Sequence, residues 1–208
     1  MTTTPSNGGG GDRPLAWPGD PEQVGAADID FEALAHVLAN TCRRGGRMRH
    51  YHSLAAHAVV VSEEIEALQG LTAEDRRTLS MHALIVGAAS AWLRELPAGA
   101  ARTADRSGRL AAAVERALRE AAGLDPVLGE EHAELLRFVG RMAASAESRD
   151  LLDDADLSDG AVAFPPCRRR VRPLAPERAA RLWLGRLENL RGTGAAARAD
   201  AGTDAAPA

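Results

Sequence analysis

Lysine is missing from the sequence: all 25 basic residues are arginine. Cysteine is nearly as scarce, with only Cys42 and Cys167, far apart and without a CxxC pair. That excludes a disulfide framework and a thiolate zinc site, and two reduced thiols are expected. No apolar run approaches the roughly 20 residues needed to cross a bilayer, and MTTTPSNGGGGDRP at the start has neither a basic n-region nor an apolar h-region. No membrane association is expected, and the cytoplasm is the expected compartment. Alternating runs of β-branched residues are almost absent, which argues against a sheet. The net charge of −4 lacks the basic field that releases counterions from a phosphate backbone, so nucleic acid is not an expected partner.

A hydrophobic fraction of 45% with 26% charged residues suits one globular domain carrying polar tails. The guanidinium fork suits phosphate. Yet a genome rich in G and C favours Arg and Ala codons everywhere, so the arginine total by itself carries no chemistry. Residues 1–24 are rich in Gly and Pro, and 193–208 are poor in large side chains; both read as disordered tails around a helical domain over 25–192.

Six helices are predicted, with no internal repeat. The first covers Phe31–Asn40, with Leu34, Ala35, Val37 and Leu38 inside and Asp28 or Asp30 at its positive end. CRRGGRMRHY then describes a sharply bent loop that presents cations. Ser53 caps a second helix, whose stripe of Leu54, Ala58, Val61, Ile65 and Leu68 runs until Gly70. Thr72 and Asp75 open a third, extending to about Arg94, with the middle ALIVGAASAWL apolar nearly all round and hence buried on most sides. A fourth spans about Arg106–Ala122. A long fifth is predicted to start at Asp125-Pro126, and a sixth at Pro176 carries Leu182, Trp183, Leu187 and Leu190.

From Asp28 to Pro97, CRRGGRMRHYHSLAAHAVVVS followed by ALIVGAASAWLRELP resembles the bacterial HD-domain phosphohydrolases similar to 5'-deoxynucleotidases. GRMAASAESRDLL matches a later ATExRD-like stretch and PLAPERAARLWLGRL a terminal PLSPEEA-like helix, in the family's order. The resemblance implies an HD-like helical bundle, a homodimer and a divalent cation held by a His in an AEHS-like helix, a His-Asp pair in an LLHDAAE-like helix and a distant Asp. Such ligands leave positions for a water nucleophile and a phosphate oxygen.

Against that pattern, His57 retains the first ligand, but the His-Asp pair falls on Val86 and Gly87 and the distant Asp on Gly140. The nearby acid of the LLHDAAE pattern is Ser90. His82, one helical turn before Val86, is the one imidazole or acid within four residues of it. No metal and no other cofactor are therefore expected. The resemblance also carries over a phosphate-binding role to Arg43 and a proton-transfer role to Glu95, which stands where the family has an Asp.

Each of these residues also has a plainer reading. His57 can be a core histidine satisfied by one hydrogen bond. Arg43 can be one of a solvated run, and Glu95 can solvate a helix end. His50, Tyr51 and His52 can line a nucleotide site or serve structure, and CRRRVR at 167–172 can bind anions or connect helices. Trp92 and Trp183 read as core or subunit-interface residues.

The leading expectation is a non-hydrolytic pseudoenzyme that binds a nucleotide or phosphorylated small molecule, or regulates a partner protein. Apolar residues in place of buried carboxylates remove the cost of unpaired charge there. The alternative is a metal-independent enzyme in which Arg43 holds an anion and His57 or Glu95 moves protons. Metal-dependent hydrolysis with unusual ligands ranks third.

Overall fold

The computed structural model describes residues 24–93, 107–125, 127–152 and 164–203. Its described elements are helical: α1 Phe31–Asn40, α2 Leu54–Glu66, α3 Ala73–Ile85, α4 Ala88–Leu93, α5 Ser107–Ala122, α6 Glu130–Leu151 and α7 Pro176–Thr203. No named strand occurs among the described residues, so the protein is all-α.

Caps set several boundaries. Asp30 accepts from the N–H groups of Glu32 and Ala33 at the head of α1, Ser53 from Ala56 at α2 and Thr72 from Asp75 at α3. Each satisfies donors that the first helical turn leaves free. Asp28 instead closes the short turn before α1 by accepting from Gly25 N. The long third helix predicted from sequence is broken into α3 and α4. Val86 ends α3 with an extended backbone, and Gly87 takes φ +80°, a left-handed conformation that a side chain disfavours. The fifth predicted helix starts later than expected, at Glu130 behind Gly129, rather than at Asp125-Pro126. The last helix continues past 192 to Thr203 through an alanine-rich stretch of high helix propensity.

The main core joins Leu34 and Leu38 of α1, Val59 of α2, Met81 and Leu84 of α3, Val114 and Leu118 of α5, and Trp183 and Leu187 of α7. Trp183 has no exposed surface and donates its indole N–H to Leu84 O, so the core reading of this residue holds. The side chain of Trp92 lies outside the described residues. A second cluster packs Val61 and Ile65 against Leu79, Ala83, Leu136 and Val139, seating α6 on α2 and α3. Beyond α6, Asp150 accepts from Arg149, from Arg170 and from the Val171 N–H, while Arg149 donates to the carbonyls of Cys167 and Arg169. These bonds hold 167–172 against the end of α6. The arginines of CRRRVR are thus partly engaged in structural ion pairs: Arg169 also meets Glu63 and Glu64.

Candidate functional site

The segment between α1 and α2 folds back on itself. Leu54 N–H donates to Thr41 O and Arg43 N–H to His52 O, so Arg43 and His52 stand opposite one another. The turn between them uses positive φ at Arg44, Gly45 and Gly46. At a non-glycine this costs roughly 1 kcal/mol, and Arg44 is held there by bonds from its Nη2 to Ser148 Oγ (2.9 Å) and Ala144 O (3.4 Å). Tyr51 is fixed by a 2.7 Å hydrogen bond to Ala39 O, a structural use.

The fold-back brings its residues to Glu147 of α6, whose side chain has no exposed surface. Oε1 of Glu147 accepts from His57 Nδ1 at 2.5 Å and from His52 Nε2 at 3.1 Å; Oε2 accepts from Arg43 Nε at 3.1 Å. Burial alone would raise the Glu147 pKa, but His57, His52 and Arg43 together hold it well below the ordinary carboxylate range. The carboxylate is therefore ionised and can only accept, which fixes both imidazoles: Nδ1 of His57 and Nε2 of His52 carry the protons. Burial lowers the His57 pKa, with Arg43 and His52 adding to the effect against the pull of Glu147, which favours the neutral imidazole.

Two side chains of this cluster keep partial exposure, Arg43 and His57. His57 Nε2 bears the free lone pair, with no hydrogen bond among the described residues, on a side chain 19% exposed. Arg43 uses only Nε on Glu147, and its terminal nitrogens make no hydrogen bond among the described residues. The interior side is closed: His52 is 1% exposed and its Nδ1 is enclosed without a partner. Arg43 and Glu147 offset one another in charge, while the terminal nitrogens of Arg43 can donate to an anion and His57 Nε2 can accept a proton or a hydrogen bond.

Sequence reasoning named Arg43 and His57, and these come together. Glu147, which organises them, was missed although it lies within the quoted GRMAASAESRDLL. The available signal was its spacing: Leu136, Val139, Ala143 and Glu147 make one helical stripe, and an acid in a buried stripe must find partners. Glu95 lies outside the described residues.

The emptied ligand positions assemble elsewhere. Val86 and Gly140 line one cavity with His82, and Gly87 borders a small adjoining hollow. Arg43 and His57 are not among the residues lining either. Val86 is 61% exposed, so the expectation that the apolar stretch is buried on most sides fails at this position: the break at Gly87 turns it out of the core. A divalent cation does not fit these residues. Val86, Gly87 and Gly140 offer no side-chain ligand atom, one nitrogen each of His52 and His57 is committed to Glu147, and no group of three or more His, Cys, Asp or Glu side chains among the described residues could hold a metal ion.

Fold and site together define an all-helical protein with an arginine and two histidines gathered on one buried glutamate. No family model matches the chain. One relative is the uncharacterized protein YfdR of Escherichia coli (strain K12), 26% identical over 171 residues that span 81% of this chain and 88% of that protein. The similarity extends along most of both chains and carries no activity with it.

Proposed function

We propose that this chain is a degenerate HD-domain protein that binds a nucleotide or another phosphorylated small molecule without a metal ion. The observation carrying this reading is the bonding at Glu147. It holds Arg43 by Nε alone, leaving the two terminal nitrogens for a phosphate oxygen, and it binds His57 through Nδ1, leaving Nε2 of a partly exposed imidazole unprotonated. The resemblance of Arg43 to the family's phosphate-binding arginine supports the same ligand class. A thermal-shift panel of nucleoside monophosphates, inorganic phosphate and sugar phosphates, run in EDTA, tests it: stabilisation by at least one phosphorylated compound is expected, and stabilisation only when a divalent cation is added would refute it.

The tautomer at His57 favours a second reading, metal-independent proton transfer on such a ligand. A carboxylate behind a neutral imidazole keeps it oriented as a general base. Turnover of a phosphorylated or nucleoside substrate in EDTA, lost in His57→Ala, is the outcome this reading requires. Homodimerisation, proposed from the resemblance, is checked by light scattering, where a purely monomeric mass would remove it.

A further inference from the structure

The cavity bordered by Val86 and Gly140 has a volume of about 520 Å3, within the range of small-molecule sites. The end of α3, Arg119 of α5, the 127–128 segment and α6 wall it. Its body is aliphatic: Val86, Val127, Leu128, Ala133 and Leu136. Val86 and Val127 are 61% and 80% exposed, so large apolar surface is presented here instead of packed.

Three further observations point to a ligand. His82 is 3% exposed, lines the cavity and makes no hydrogen bond among the described residues. Its imidazole thereby places a polar group among the aliphatic side chains of the lining. Arg119 of α5 and Arg137 of α6 line the same cavity and supply positive charge. Glu115 and Glu130, 48% and 81% exposed, are among their partners, and an exposed pair such as Arg137–Glu130 is weak enough to be exchanged for a bound anion. Finally, a Cβ added at Gly140 would meet nothing within 4 Å, so the chamber reaches the backbone of α6.

We propose that this cavity binds a small organic carboxylate with an aliphatic or aromatic body. The body lies against Val86, Val127, Leu128 and Leu136, the carboxylate meets Arg119 and Arg137, and His82 hydrogen-bonds the ligand. The site is separate from the Arg43–His57 cluster.

Calorimetric titration with octanoate, and with 1-octanol as the uncharged equivalent, tests the proposal. Wild type is compared with Gly140→Leu and the Arg119→Gln/Arg137→Gln double variant. Leucine at 140 enters open space and has a higher helix propensity than glycine, so circular dichroism and melting should report an intact fold. Saturable one-to-one binding of octanoate is expected, weakened roughly tenfold or more in Gly140→Leu. The double arginine variant should weaken octanoate severalfold and leave 1-octanol unaffected. Absence of saturable octanoate binding by wild type, or binding indifferent to Gly140→Leu, would overturn the site; octanol binding as tightly as octanoate would overturn its preference for a carboxylate.

Discussion

Glu147 has no contact with water, so its charge depends on the three side chains around it. Glu147→Gln removes the charge and leaves Arg43 without its anion. Breaking a buried pair in this way costs about 3–5 kcal/mol, and the retained amide oxygen can still accept one hydrogen bond, so about 2–4 kcal/mol in urea unfolding is expected. In the wild type, nitrogen NMR of His57 should show the proton on Nδ1; in Glu147→Gln that preference should weaken. The pH dependence has a definite sign. His82 is held down to about 4 by burial and by Arg119, against 6.5 when unfolded. It therefore contributes full stability above pH 6.5 and progressively less down to pH 4, about 1–2 kcal/mol by pH 5. His57, also lowered, acts in the same direction. Glu147 adds a later loss, below the ordinary carboxylate range, as its depressed pKa is approached. His82→Phe should flatten the pH 7.5 to 5 difference in unfolding free energy; an unchanged difference would show that His82 is not the group responsible. At this scale the sequence named Arg43 and His57 as site residues and left His52 open between lining a site and serving structure. It did not name the acid, because a glutamate in an arginine-rich helix reads as surface until its place on the buried stripe is noticed.

Elements were most legible where caps mark them. Asp30, Ser53, Thr72 and Pro176 stand at the starts of α1, α2, α3 and α7, as read from sequence. What hid the break between α3 and α4 was composition: ALIVGAASAWL is apolar enough to read as one buried helix, and a single internal glycine does not by itself announce a left-handed turn. Two glycines now predict opposite outcomes. Gly87→Ala forces a side chain into φ +80° and should destabilise by about 1–2 kcal/mol. Gly140→Ala, inside α6 with open space around its Cβ, should stabilise by about 0.5–1 kcal/mol. Thermal unfolding of the two variants checks both signs, and a destabilised Gly140→Ala would mean that the cavity wall is tighter than the geometry indicates. The start of α6 was misplaced because Asp-Pro is a strong opening signal that the chain here leaves unused in favour of Gly129.

Across the whole molecule, periodicity established the all-helical class, and the order of the helices followed. Contacts of long sequence separation remained out of reach. Arg43, His52 and His57 meet Glu147 only because the loop before α2 and the start of α2 lie against α6, and Val86 shares a cavity with Gly140 only because α3 ends near that helix. The same long-range pairing holds 167–172 through Asp150, whose pKa is depressed by Arg149, the Val171 N–H and Arg170. Two separate places for a ligand are proposed: the aliphatic cavity bordered by Val86 and Gly140 and, as the function of the chain, phosphate binding at the Arg43–His57 cluster. Calorimetric titration of a nucleoside monophosphate into the full chain in EDTA, repeated with Arg43→Ala, tests it most directly. Saturable binding weakened roughly tenfold or more by the substitution, with the helical content unchanged, is the expected result; no binding without a divalent cation, or binding indifferent to Arg43, would contradict it.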